Sequence, residues 1–286
     1  MRPESLAVIG LGAIGGSLAW QARLAGIARV IGYAAEPQDR VQALKSAAVH
    51  DVADSARRAV EGAQLVVLAT PPQAVLGLLE QLGPALPPGA IVTDVASIKQ
   101  PVMLKAREVG LAKRFAGSHP FAGTHLSGWT GARPDLLAGA IVYVCDTGPE
   151  GDAVAREIMN FWESVIRAHP VRIDAEVHDT QLAWTSHLPQ AVASVLARTL
   201  ASEPSLRGAS LGTGARDTTR LAASPAEMWV DIFLLNKEPV SEALARAEGE
   251  LAQLRELIRK ADRNGLLQYL EEAATFRRRL SRESSA

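Results

Sequence analysis

A chain of 286 residues, 48% apolar and 21% charged, has the balance of a folded protein and exceeds the roughly 250 residues at which single cores stop growing, so two domains are expected. Lys and Arg total 30 against 31 Asp and Glu, a net charge of -1, which supplies no positive field for nucleic acid or an anionic membrane and favours a small-molecule partner. One cysteine, Cys145, excludes an intramolecular disulfide, and the sequence contains neither a signal-like segment nor an apolar run of spanning length, so a cytoplasmic protein is expected.

The first apolar run, residues 6–9, reads as a buried strand and leads straight into GLGAIGGS at residues 10–17, which opens a helical pattern over 17–24. A glycine-rich turn between a strand and a helix is the context a dinucleotide fingerprint requires. Gly10 permits the tight turn, Gly12 lets backbone N–H groups approach a pyrophosphate, and Gly15 allows close packing of helix on strand. Ala13 and Ile14 complete the expected cradle. Further strand-like runs follow at 30–31, 65–69, 90–92, 115–116 and 141–144, with amphipathic helical stretches at 38–47, 73–82 and 102–109. Alternation of this kind specifies a doubly wound, mainly parallel α/β sheet of Rossmann type. Tyr33 and Ala34 after the second strand, and Thr70 and Pro71 after the third, are expected to line the cofactor. No acidic residue stands at 34 or 35, while Glu36 is placed to reach a ribose and Arg40 a 2′-phosphate, so NAD and NADP both remain open.

Two polar segments directly follow strands. DVASIK at 94–99 occupies the carboxyl-end crevice where ligands of parallel sheets bind, and GSHPFAGT at 117–124 holds His119 between glycines and a proline. From about residue 176 the strand-like runs stop and helical patterns take over at 178–202, 226–235, 240–260 and 266–279. The division expected is a dinucleotide-binding domain over 1–173 and a helical substrate and dimerisation domain over 174–286. Leu244, Leu251, Leu254, Leu257 and Ile258 form an apolar stripe that can pack inside the monomer or against a second subunit, and a homodimer contact is expected. Within this half, TSHLPQ at 185–190 and GARDTTR at 214–220, followed by Met228-Trp229, are polar where a simple helical fold needs no such groups; an arginine there offers a planar fork for a carboxylate. His119 and His187 show no metal-ligand spacing and no CxxC or HExxH occurs, so no metal site is expected.

GLGAIGGS, DVASIK, GSHPFAG, SHLP and GARDTTR with its downstream MW, in this order, resemble the prephenate/arogenate (cyclohexadienyl) dehydrogenase family over nearly the whole chain. The resemblance implies a Rossmann-like domain followed by a helical dimerising one. It implies oxidative decarboxylation of prephenate or arogenate with hydride transfer to NAD(P)+, in tyrosine biosynthesis. His119 corresponds to the family's catalytic histidine, Ser97 lies at a catalytic and cofactor-lining position, and Thr124, His187, Gln190, Arg220 and Trp229 fall on substrate-pocket positions, Arg220 as carboxylate ligand. The family pattern carries an acidic residue where His125 stands and a histidine where Gln190 stands, which leaves prephenate and arogenate both open. Two other readings stand beside it: a 3-hydroxy acid or 6-phosphogluconate-type dehydrogenase with Lys237 beside Asn236, and a nucleotide-sensing scaffold without catalysis.

Overall fold

The computed structural model describes residues 2–122, 126 and 128–283, the last three without their side chains. Five parallel strands, β1 (Ser5–Ile9), β2 (Arg29–Tyr33), β3 (Asp51–Val52), β4 (Leu65–Leu68) and β5 (Ile91–Asp94), lie in the order β3-β2-β1-β4-β5. Strands in such a sheet are buried on both faces, and their residues sort by period two. Leu6, Val8, Leu65 and Val67 enter one core with Leu18, Ala19 and Ala22 of α1 (Ala13–Leu24). Ala7, Ile9, Val66 and Leu68 enter the other, with Val75, Leu79 and Leu82 of α4 (Pro72–Leu82) and Val102, Met103 and Ala106 of α5 (Gln100–Glu108). Each such apolar side chain contributes about 1.5–3 kcal/mol when fully buried. Two helices, α2 (Pro37–Lys45) and the four-residue α3 (Ala56–Ala59), complete the crossovers.

A second sheet, β6 (Ala116–Pro120), β7 (Ile141–Asp146) and β8 (His169–Arg172), continues the first through a parallel bridge between Val92 and Phe115. Strand β7 runs antiparallel to β6 and β8 parallel to β7. Helix α6 (Asp152–Ser164), absent from the pattern expected of the sequence, buries Ile158, Phe161 and Trp162 against this region. Strand β8 also escaped sequence reasoning: it is largely exposed and carries Pro170, so no apolar run marks it.

The helical half begins with α7 (Ala175–Leu182), passes through a π-helical turn at Ala183–His187 and continues as α8 (Leu188–Ser202). After α9 (Thr213–Thr219) and α10 (Ala226–Leu235) come two long helices, α11 (Lys237–Arg259) and α12 (Arg263–Glu283). Contacts divide the chain into compact units 2–237 and 238–283 among the described residues, so α7 to α10 pack in one body with the sheets. Helices α11 and α12 expose Leu251, Ile258, Leu267, Leu270 and Phe276. Among the described residues no helix is long and apolar enough to cross a membrane.

Candidate active site

Parallel registers bring Ile9 opposite Leu68 and Leu68 opposite Asp94, so the carboxyl ends of β1, β4 and β5 are level. The topological switch point of the sheet lies between β1 and β4, where a crevice forms. Three expected segments converge there: Gly10 to Gly15, Thr70-Pro71, and the stretch from Asp94 to Lys99.

The glycine loop is shaped by close approach. Gly10 has φ +104°, and a Cβ on Gly15 would stand 1.9 Å from the Gly10 carbonyl oxygen and 2.6 Å from Ala69 Cβ. A Cβ on Gly12, in contrast, would meet nothing nearer than Gly128 Cα at 3.9 Å. Protein packing thus demands glycine at 10 and 15, while at 12 the space above the backbone is open. Gly12 caps α1 without a side-chain hydrogen bond and the first turn carries no acidic residue, which suits the positive end of the helix to a phosphate. Thr70 Oγ1, beside this loop, is buried and pairs with no protein group. An open glycine, an uncapped helix start and an unpaired hydroxyl fit a dinucleotide. At the far end of β2, Tyr33 is half-buried and Ala34 buried; Arg40 donates to the Ala34 carbonyl and, at 3.4 Å, to that of Ala35, with its guanidinium 5.7 Å from the Tyr33 ring. Ala13 and Ile14 are half-buried in the first turn of α1, and Pro71 is the exposed N-cap of α4.

The segment after β5 is pinned from below. Lys99 and Asp94 form an ion pair, both side chains being fully buried, and Lys99 Nζ also donates to the Ser118 carbonyl at 2.8 Å. Burial pushes the Asp94 carboxyl above its ordinary range, while the Lys99 charge and the N–H groups of Ala96 and Ser118 pull it back. Removing either partner would strand a buried charge. Ser118 Oγ lies 2.8 Å from Thr93 Oγ1 and accepts from Trp162 Nε1 at 2.9 Å, so β5, β6 and α6 share one polar junction. Ser97 sits half-buried in the bend above it.

His119 lies inside β6 rather than after it, at its penultimate position, two residues past the level of Asp94. It is half-buried, and its Nδ1 is 2.9 Å from Nε2 of His178, whose own Nδ1 is 2.7 Å from Asp179 Oδ1. Desolvation above all, with the Lys99 charge nearby, holds the His119 pKa well below the ordinary imidazole value. Asp179 also accepts the backbone N–H of Lys99 and Gln100, each at 2.8 Å, closing the start of α5. His178 and Asp179 were not singled out from the sequence. They belong to a helical pattern 59 and more positions from His119 and Lys99, and only the adjacent His-Asp pair itself hints at a hydrogen-bonded unit.

His187, 1% exposed, ends the π-helical turn. Such turns redirect side chains within an otherwise continuous helix. Burial pushes its pKa down to about 4 despite the opposing charge of Asp179. Asn236 Nδ2, which donates to the Asp179 carbonyl at 2.8 Å, also lies 3.2 Å from His187 Nδ1; that nitrogen therefore accepts, and the ring carries its proton on Nε2. The Trp229 ring packs edge-on to His187 at 5.9 Å, and its Nε1 is buried without a protein partner, as is Gln190 Oε1. Buried polar groups are ordinarily hydrogen-bonded, so these two leave one acceptor and one donor open at expected pocket positions. A cavity of about 820 Å³ is lined by Pro71, Gln73 and Ala74 at the start of α4 and by Ala226, Met228, Val230 and Asp231 of α10. Arg220 is exposed at the C-cap of α9, and no hydrogen bond joins it to His119 or His187. Thr124 and His125 lie outside the described residues.

Sheet, fingerprint loop and polar crevice together define a dinucleotide-dependent dehydrogenase. The family profile for the prephenate dehydrogenase nucleotide-binding domain matches residues 18–171, and that for the prephenate dehydrogenase dimerization domain matches 174–272. A prephenate dehydrogenase of Bacillus subtilis is 33% identical over 281 residues, covering 96% of this chain and 75% of the relative. A cyclohexadienyl dehydrogenase of Zymomonas mobilis is 30% identical over 283 residues, covering 96% and 95%. The crystal structure of prephenate dehydrogenase from A. aeolicus in complex with hydroxyphenyl propionate and NAD+ superposes with a TM-score of 0.88 at 31% identity, covering 96% of this chain and 98% of that one. The chain belongs to the prephenate dehydrogenase family.

Proposed function

We propose that this protein oxidatively decarboxylates prephenate with NAD+ as hydride acceptor, as a cytoplasmic homodimer, the observation that carries it being His119 near the carboxyl end of β6, on the same edge of the sheets as the glycine loop that follows β1. Residues 1–173 hold the dinucleotide and 174–286 supply the substrate pocket and dimer contact, in line with the two family profiles. Gly10, Gly12, Ala13, Ile14, Gly15, Tyr33, Ala34, Thr70, Pro71 and Ser97 line the cofactor. Held by these residues, NAD+ would supply the hydride acceptor for the ring carbon that bears the hydroxyl.

His119 takes the hydroxyl proton, with Ser97 as hydrogen-bonding neighbour of the same oxygen. As the C–H pair leaves as hydride, the ring C–C bond to the carboxylate breaks, its electron pair enters the ring and CO2 departs. Aromatisation drives the step, so the protein's task is to orient a dianion and remove one proton. His187 offers Nε2–H to a substrate oxygen, Arg220 and Thr124 bind carboxylate, and Trp229 and Gln190 complete the pocket. NAD+ is favoured over NADP+ because Arg40 is engaged by two carbonyls and Tyr33, while the exposed carboxylate of Glu36 stands at the β2–α2 junction and would repel a 2′-phosphate.

Arogenate is the second reading, and Gln190 favours it: a buried acceptor oxygen without a protein donor suits the ammonium of an amino acid side chain better than a keto oxygen. Steady-state rates with prephenate and arogenate, each against NAD+ and NADP+, test all of this at once. The expected outcome is the highest kcat/KM for prephenate with NAD+; no turnover in any of the four combinations would overturn the assignment.

A further inference from the structure

The contacts around His119 form a line of three side chains, and both ring nitrogens of its middle member are used. Asp179 Oδ1 accepts the Lys99 N–H and Oδ2 the Gln100 N–H, so this carboxylate presents acceptors only. At 2.7 Å from Oδ1, His178 Nδ1 must donate. With its proton on Nδ1, His178 keeps a lone pair on Nε2. His119 Nδ1, 2.9 Å from that lone pair, must in turn donate.

We propose that His178 and Asp179 are positioning residues for the reaction: they hold His119 as the tautomer protonated on Nδ1, leaving the lone pair on Nε2 to receive the substrate proton. This rests on the reading of His119 as the base. The opposite arrangement, with His178 protonated on both nitrogens, would put a further cation wholly out of water near Lys99. Once Nε2 of His119 has taken the proton, the imidazolium donates through His178 toward Asp179, and its charge is met without Asp179 touching the base. The same carboxylate closes the first turn of α5, so the line is fixed at its far end by backbone rather than by a rotatable side chain.

His187 is wired the other way. Its Nδ1 accepts from Asn236 and its Nε2 carries the proton, so the crevice holds one imidazole set to accept and one set to donate. Asn236 bonds the Asp179 carbonyl, which means both settings are anchored on one residue of α7. Among the described residues, the titratable and charged groups facing His119 are His178 and Asp179 from α7, Lys99 with Asp94 from the segment after β5, His187 from the π-helical turn and, across the sheet, Tyr143 of β7, whose ring packs edge-on to His178 at 5.6 Å.

The tautomer is read directly in long-range proton–nitrogen correlation spectra of the full-length protein labelled with 15N-histidine, the His119 signals being identified by their absence from His119→Gln. His119 and His178 should both show protonated Nδ1. A His119 signal protonated on Nε2 would overturn the proposal, whether or not the enzyme turns over prephenate. In kinetics with prephenate and NAD+, His178→Phe should lower kcat by about 10–100-fold while the Kd for NAD+ and the KM for prephenate stay within about twofold. The acid limb of its kcat/KM profile should move to lower pH, because the His119 imidazolium loses its acceptor. His178→Gln, whose side-chain oxygen can accept the Nδ1–H, should recover about tenfold of the loss. Full kcat with an unmoved acid limb in His178→Phe would refute the positioning role, whereas wild-type protein silent toward both prephenate and arogenate would refute the proposed reaction and leave the spectrum to decide the tautomer.

Discussion

Between Gly10 and Gly15 the crevice is made of backbone, and six consecutive residues set its shape. Around His119 it is made of side chains from β6, α7, the π-helical turn and the C-cap of α10, tied to one another and to the backbone before α5 across separations of 59, 49 and 80 positions. A backbone cradle is specified locally, by where a Cβ can and cannot stand. A side-chain line is specified only by the finished fold, because each member is held by a partner from another element. The first should fail through packing and the second through chemistry.

The sharpest way to separate them is His119→Asn. Loss of a general base typically costs about 10²–10⁴ in rate, so kcat should fall by that order, while the Kd for NAD+ measured by titration calorimetry stays unchanged. Undiminished turnover would sink the role of His119.

On the cradle side, Gly15→Ala and Gly12→Ala should part company. The first forces a Cβ into the Gly10 carbonyl, and overpacking of this kind costs about 1–3 kcal/mol or more, visible as a lower midpoint of urea unfolding. The second meets open space, so its midpoint should match the wild type while NAD+ affinity drops. Equal destabilisation of both variants would contradict the packing argument.

The smallest effect is a pH dependence of stability. His119 and His187 are held below the ordinary imidazole value of 6.5, so as pH falls through 6.5 the unfolded chain binds protons that the folded chain refuses. Stability should therefore decline from pH 7.5 to 5, by on the order of 1–2 kcal/mol from His187 alone given its pKa of about 4. Denaturant melts across this range check the sign, and a flat profile would mean that neither histidine is desolvated as described.

These two regions were unequally legible in the sequence, for physical reasons. The strands β1, β2, β4, β5 and β7 announce themselves because a largely buried strand is a nearly unbroken apolar run, and the fingerprint because Gly10 and Gly15 sit where only glycine fits. The edge strand β8 faces water and carries no such run, and β3 is two residues long. Lys99 was visible as part of a polar segment at a strand end, yet its fully buried pairing with Asp94 needed the sheet to be assembled first. His178 and Asp179 were hidden in the same way: their partners come from β6 and α5, and nothing in the periodicity of α7 distinguishes them from ordinary helix residues. Gln190 and Trp229 stood out by motif, and their unpaired buried atoms add what a motif does not carry.

The two backbone bonds from Lys99 and Gln100 to Asp179 bear on modularity. They cross the seam between the stretch matched as a nucleotide-binding domain and the stretch matched as a dimerization domain. A nucleotide-binding fragment ending at that seam would lose the acceptor for both N–H groups and the neighbour of its own histidine. Contacts that hold the candidate site together therefore cross the profile boundary, which is not a line along which that site divides.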